Sequence, residues 1–286
     1  MSEKRFLDFT TDETPSPSNF LLESNSTNGV RKTTIEAAVT SVLNSKNING
    51  KLSLLSGNGP QFRTNLYRGQ NITAYYDSGA MSAAIANGSF DNIYVGDYIE
   101  KDITYKGTTK KMRFVVADME YFFHAGTDTH HVVMYPDGDL FGTGRMNDTD
   151  STTGGYVASE MFTVTMPLIN AALQSAFGVD HVLSHKECLP TGAGQYKTIN
   201  VLANLPNERM VYGAPAYGMA GWSGGSGTVK FAIFDVWRNF NKWYRWMWLR
   251  DVASATEYCD YANYDLPDRV NASRNDGSIV PYFLLV

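Results

Sequence analysis

The stretch Trp243-Tyr244-Arg245-Trp246-Met247-Trp248-Leu249-Arg250-Asp251 constrains this chain more than any other, because it places three of the five tryptophans within six residues. Each indole buries on the order of 200 Å² of mostly apolar surface, so the stretch marks a core. On a strand, Trp246 and Trp248 point to one side while Met247 and Leu249 point to the other, so both faces need cover. That predicts an internal strand. The last eight residues, Ile279 to Val286, carry no charged side chain. Left exposed they would form an aggregation-prone edge, so they are expected to pair within a sheet. The simplest arrangement puts the indole-rich strand and the terminal run side by side in one sheet, with the intervening chain held outward.

At 286 residues and 43% hydrophobic, the chain has enough apolar surface for one large or two modest domains. A formal charge of −5 is far from the basic balance that phosphate-backbone binding requires, so nucleic acid is not an expected partner. No apolar run reaches the roughly 18 residues of a membrane span, and Met1-Ser2-Glu3-Lys4-Arg5 leads into polar sequence without an apolar signal core. Synthesis in the cytosol and reduced Cys188 and Cys259 are therefore expected. Seventeen Tyr and 15 Phe beside 25 Gly suggest a β-rich, loop-rich body.

Residues 1–78 read as an N-terminal arm, a helix and a linker. The arm, residues 1 to about 29, is polar, with Phe6, Leu7, Phe9, Phe20, Leu21 and Leu22 as its apolar points. It is either a disordered tail or a segment that orders on a neighbouring subunit. Ile35, Ala38, Val39, Val42 and Leu43 share one helical face, with Thr33 or Thr34 as N-cap. Ile35, Val39, Val42 and Leu43 are the candidate anchoring residues.

Residues 79–286 form the expected main body. The pattern predicts a short helix over 79–87 and a hairpin of 93–99 with 111–117, turning through Thr104 to Thr108. It further predicts a strand from His131 to Tyr135 and a helix from Glu160 to Phe177. Pro167 moves that helix's effective start towards Met166, and Gly178 caps its end. Strand-like pieces at 180–185 and 228–236 bracket the Gly-rich loop 213–227, which contains Trp222. This order is α+β.

Motifs for chemistry are weak. His124, Asp128, His130 and His131 lie close in sequence, but adjacent strand residues face opposite ways, which favours hydrogen-bonded histidines over a metal site. His181 and His185 lack the Glu of a zinc hydrolase motif. Asp137, Asp139, Asn147, Asp148 and Asp150 are hard oxygen donors but do not fit a twelve-residue calcium loop. Nucleophile-elbow, phosphate-cradling and dinucleotide fingerprints are missing from the sequence. No metal, cofactor or enzymatic activity is expected.

The stretch Glu257 to Ser278 reads as a long loop. Tyr258, Tyr261, Asn263, Tyr264, Asp268, Arg269 and Arg274 give it the composition of a binding surface, in which rigid Tyr supplies area and Asn adaptable hydrogen bonds. These are the candidate ligand-binding residues; the alternative is that they pack on the body or a sister subunit.

The indole-rich strand, the following excursion of about thirty residues and the closing Val280-Pro281-Tyr282-Phe283-Leu284 together resemble the C-terminal part of C-type-lectin-like modules in bacteriophage adhesins. Upstream, Asn87 to Tyr98, Thr129 to Met134, Gly154 to Met161 and Asn207 to Gly213 resemble virion proteins of phages of Gram-positive bacteria. The resemblance spans roughly residues 80–286. Members of that group often carry Gly-Val-Arg-Pro before the final strand, where this chain has Gly277-Ser278-Ile279-Val280-Pro281. It implies a C-type-lectin-like α+β body with a mixed or antiparallel sheet, preceded by an extended arm and short helix.

It also implies a virion protein, a fibre or adhesin displayed on the particle. Such a protein anchors through residues 1–50 to other virion proteins, forms a homo-oligomer such as a trimer, and contacts a host-surface glycan or protein. A formylglycine-generating enzyme, which shares the fold, would need a cooperating cysteine pair that Cys259 lacks nearby in sequence. The competing expectation is an architectural decoration or tail subunit that binds only virion proteins; membranes and nucleic acid are not expected partners.

Overall fold

A computed structural model describes residues 20–25, 29–34, 67–138, 141–192, 194–219, 226–236, 246–262 and 266–286. The chain divides into two compact units, Met1–Ser56 and Gly57–Val286. In the first, β1 (Phe20–Asn25) and β2 (Gly29–Thr34) form an antiparallel hairpin running from Phe20 opposite Thr34 to Asn25 opposite Gly29. Part of the expected arm is thus strand, and Thr33 and Thr34 end β2. The expected helix with Ile35, Val39, Val42 and Leu43 lies outside the described residues.

The second unit begins earlier than the sequence suggested. Residues 67–78, expected as linker, bridge the body at Tyr67 to Val95 and Asn71 to Tyr98 and form α1 (Thr73–Asp77). Tyr76 from α1 is buried, and its hydroxyl donates to the Phe177 carbonyl oxygen at 2.9 Å. Arg68 holds the buried Asp97 carboxylate at 2.6 Å. The short helix α2 (Ala80–Ala86) follows as expected, burying Met81, Ala84 and Ile85.

Next comes the expected hairpin, β3 (Tyr98–Tyr105) with β4 (Thr108–Met119). Lys106 and Gly107 both have positive φ (49° and 77°), the signature of the tight turn whose twist matches its strands. Residues 93–97 precede the strand without joining it. Then β5 (Val132–Asp137) is almost wholly buried, followed by β6 (Thr143–Gly144). A π-helical turn over Met161–Thr165 leads into α3 (Met166–Phe177). Pro167 sits in the first turn of α3, where a missing N–H costs nothing, and Gly178 (φ 98°) stops the helix.

β7 (His185–Gly192) and β8 (Gln195–Val201) make a second hairpin, followed by β9 (Ala203–Asn204) and α4 (Glu208–Tyr212). Residues 180–184 are not strand, beyond a single bridge from Val182 to Leu285. The other expected strand, 228–236, contains the helix α5 (Ala232–Val236). Val229, Phe231 and Ile233 alternate like a strand, but the Asp118 carboxylate of β4 accepts the Ala232 N–H at 2.9 Å and so starts a helix there.

The C-terminal part comprises β10 (Trp246–Val252), β11 (Glu257–Ala262), β12 (Leu266–Asn271), β13 (Gly277–Ser278) and β14 (Tyr282–Leu285). One five-stranded sheet runs β3-β4-β5-β14-β9, antiparallel throughout; the other runs β12-β11-β10-β13-β6, with only the β10–β13 pair parallel. The unit is α+β.

As expected, β10 is an internal strand and all seven of its residues are buried. Trp246 and Trp248 meet edge to face at 4.9 Å, and the Trp248 indole N–H donates to the Gly144 carbonyl at 2.7 Å. The terminal strand, however, does not share this sheet. The chain pairs with β10 at Ser278 opposite Met247, then crosses, and β14 lies between β5 and β9 in the other sheet. Gly277 permits the first contact: a Cβ there would sit 2.2 Å from a ring carbon of Trp246. Ile279 to Pro281 then carry the chain over, which puts the four buried residues of β14 between β5 and β9 in the wholly antiparallel sheet.

The core lies on both sheets. Phe114, Phe177 and Phe283 form a cluster with ring centroids 5.0–5.6 Å apart, fixing α3 to the first sheet. Between the sheets the Tyr135 hydroxyl reaches the Met247 sulfur at 3.3 Å. A buried polar network also joins them. Arg250 from β10 bonds Glu187 at 2.7 Å and the Tyr282 hydroxyl at 3.1 Å, and donates to the Ser226 carbonyl at 2.9 Å. Glu187 further accepts from Asn204 and Tyr282 and meets His185 at 3.2 Å. Burial pushes the Glu187 carboxyl up, but Arg250 and His185 outweigh it and hold the group at about 2.

Candidate functional site

The stretch 257–278 is not an open loop: it consists mainly of the hairpin β11–β12, in register from Glu257 opposite Asn271 to Ala262 opposite Leu266. This ordering separates the candidate residues. Tyr258 is fully buried and cannot meet a ligand, because strand alternation turns it into the core. The Tyr261 backbone pairs with Met247 and Pro267, while Asn263 and Tyr264 lie outside the described residues. Asp268 and Arg269 are exposed on β12, the terminal strand of its sheet among the described residues. Arg274 is exposed on the following turn, where its guanidinium is clamped by Asp276 at 3.0 and 2.7 Å. That turn is latched by Asp150, which accepts from Asn271 at 2.9 Å and from the Ser273 N–H at 3.1 Å.

Residues from the 213–219 loop complete this face. Tyr217 (43% exposed) lies under the Arg269 guanidinium at 5.7 Å, and Leu266 (62% exposed) sits at the start of β12, where its carbonyl accepts the Tyr212 hydroxyl at 3.1 Å. Arg269 also lies 3.6 Å from Glu257. A planar Arg cation over a Tyr ring combines two of the residue types enriched at interface hot spots.

Tyr217 is held from below. The buried Glu208 carboxylate accepts the backbone N–H groups of Ala216, Tyr217 and Gly218 at 3.1, 2.9 and 2.8 Å. Its own N–H donates to Asp251 of β10 at 2.6 Å, and Asn207 caps α4 by accepting from Met210 at 2.8 Å. A loop fixed by three bonds to one carboxylate presents its aromatic side chain with little ordering cost left to meet on binding. The Gly-rich composition of 213–227 marked a loop, but nothing in it signalled that Glu208 would hold residues 216–218. Trp222 lies outside the described residues.

Among the described residues the candidate metal-ligand sets do not assemble; Asp139 lies outside them. Exposed His124 pairs with Asp128 at 3.0 Å, whereas His130 pairs with Glu120. His131 is buried and neutral, donating from Nδ1 to the Thr129 carbonyl at 2.9 Å and accepting the Phe122 N–H at 3.1 Å on Nε2. Asn147 bonds Ser151 and Glu160 of its own loop. His181 binds the Val286 carbonyl at 2.9 Å, far in role from His185 in the polar network. Among the described residues no group of metal-ligating side chains converges, and Cys188 and Cys259 are both free. No helix among them is long and apolar enough to cross a membrane.

Three buried carboxyls set an expected pH response. Burial pushes Asp118 up to about 7, Asp251 up to about 6 and Asp260, which also faces Asp268, up to about 7. Each binds its proton more tightly folded than unfolded, so its contribution is present at low pH and lost as pH rises through 6–7. His131, lowered to about 4 by burial, acts oppositely, and its effect starts only below its ordinary value of 6.5. The melting temperature is therefore expected to be higher at about pH 6 than at about pH 8. A thermal unfolding series across that range checks this; a flat or rising profile would contradict it.

No family model, curated protein or solved structure matches the chain. The second unit is an α+β fold that exposes Asp268, Arg269 and Tyr217 at the β11–β12 end of one sheet.

Proposed function

We propose that this chain is a bacteriophage virion protein, a C-type-lectin-like module displayed on the particle, anchored through its N-terminal residues and assembled as a homo-oligomer. In this reading it contacts the host surface through the β11–β12 face, with no catalytic role. The virion assignment is supported by the sequence phrases between Asn87 and Gly213 and by the indole-rich strand followed by its long excursion. The lectin-like part of this reading rests on the sequence resemblance, since the excursion stays in the sheet as β11 and β12 and the terminal strand β14 joins the other sheet.

The observation that carries the contact role is the exposed pair of Arg269 and Tyr217, the latter on a loop whose backbone Glu208 holds. Repetition of this face on a symmetric particle lets modest single contacts sum. The same pair favours one competing reading, an architectural subunit that docks on other virion proteins, since aromatic and Arg side chains also dominate protein interfaces.

Adsorption of the purified full chain to host cells separates the two. Tyr217→Ala with Arg269→Ala is expected to weaken adsorption about tenfold or more while leaving unfolding unchanged, given about 1–2 kcal/mol per hot-spot residue. A chain that ignores cells but restores particles lacking it supports the architectural role. Failure in both assays removes the virion reading.

A further inference from the structure

A separate feature of the second unit is a cavity of about 920 Å³ whose lining includes Asp118, Glu120, Tyr121, Phe123, Lys230 and Asp235. Its size is that of a small-molecule site. Asp118 reaches it because β4 bulges against β5 between Val116 and Asp118; the extra residue shifts the alternation by one and re-aims the side chain.

The charges in the wall are unevenly matched. Glu120 pairs with His130, and Asp235 pairs with Lys230 at 2.9 Å. Asp118 accepts the Met119 and Ala232 N–H groups at 2.7 and 2.9 Å and forms no ion pair among the described residues. A carboxylate has about four acceptor sites, so two backbone bonds leave capacity for a ligand donor. Nearly buried and without an ion pair among the described residues, it would gain from a ligand cation.

The aromatic side chains supply the complementary surface. Tyr121 is fixed by its hydroxyl to the Val229 carbonyl and by an edge contact of 4.6 Å with Phe231. Phe123 is stacked on His130 at 4.6 Å. Aromatic rings and an unpaired carboxylate together favour a cation carried on a hydrocarbon or ring body over a neutral or anionic molecule.

We propose that this cavity is a binding site for a small organic ammonium ligand, its cationic group on Asp118 and its apolar body against Tyr121 and Phe123. The site is independent of the β11–β12 face and of any role on a particle. An alkyl or aryl amine and an amino sugar share the required chemistry.

The test is calorimetric titration of the full chain with benzylamine and with its neutral counterpart benzyl alcohol, and in parallel with glucosamine and glucose. Burial raises Asp118 to about 7, so the benzylamine pair is titrated at about pH 8, where Asp118 is ionised and the amine protonated, and the glucosamine pair at about pH 7, because an amino-sugar ammonium already loses its proton near pH 8. At least one amine is expected to bind roughly tenfold or more tighter than its neutral counterpart, the scale of one charge-assisted hydrogen bond. Preference for glucosamine over glucose identifies a saccharide ligand, and preference confined to benzylamine a hydrocarbon one. Asp118→Asn is expected to erase the preference and Asp235→Asn to retain it. Equal binding within both pairs, no binding by either amine, or a preference lost in Asp235→Asn but kept in Asp118→Asn overturns the proposal. The wild-type comparison stands even if a variant fails to fold.

Discussion

Arg250→Met is expected to destabilise the fold by roughly 3–5 kcal/mol, because it removes the cation from a buried pair and leaves the Glu187 charge stranded. The guanidinium bonds Glu187, the Tyr282 hydroxyl and the Ser226 carbonyl, so one substitution unties strands of both sheets at once. With a typical domain stable by about 5–15 kcal/mol, a loss of this size approaches global unfolding. The wild-type ion pair contributes above the ordinary carboxylate pKa, and that contribution is lost as pH falls toward the depressed value of about 2. In Arg250→Met the sign reverses: burial without its cation raises Glu187, and acidification lessens the penalty. Adding Glu187→Gln should return part of the stability, since a neutral amide is cheaper to bury than an unpaired carboxylate. Urea midpoints for the two single variants and the double variant decide it. A double variant no more stable than Arg250→Met would show that the stranded charge is not the cause.

Trp248→Ala should cost about 3–5 kcal/mol, the range for truncating a large buried aromatic. The side chain is fully buried against Trp246, and its N–H satisfies the carbonyl of Gly144 in β6. Trp248→Phe refills most of the volume but not the hydrogen bond, so it should cost distinctly less. Equal losses for Ala and Phe would mean that the bond to Gly144, rather than packing, sets the penalty. Comparable denaturant slopes across the three proteins are needed for the comparison to hold.

The elements read correctly from sequence are those whose signals are local. The hairpin β3–β4 follows from its alternation and Lys106-Gly107 turn; α2 follows from a run of small and apolar residues closed by Asn87-Gly88; α3 follows from its period, with Pro167 and Gly178 at its ends. Burial of β10 follows from indoles that no solvent-facing strand would carry. The errors have one common origin, contacts between residues distant in sequence. Val229 to Ile233 has strand alternation, yet Asp118, more than a hundred residues away, starts a helix there. Tyr258 has a surface composition around it, but pairing between β10 and β11 turns it inward. Of the proposed contact face, Asp268 and Arg269 were named from the sequence and are exposed, whereas Tyr217 was not named, because Glu208 holds residues 216–218 through backbone bonds that leave no pattern in side-chain type.

By itself, then, the sequence determined which segments must be hidden and which must turn, since burial of indoles and the dihedral freedom of Gly and Pro act within a few residues. The tertiary structure alone decided which sheet each hidden segment joins. The terminal run was required to be buried, and two positions satisfied that requirement equally: beside β10 or between β5 and β9. The crossing after Ser278 places it in the second. Hydrophobic burial has no direction, so partner choice fell to the backbone hydrogen bonds and to the Arg250–Tyr282 contact that form only when the sheets meet.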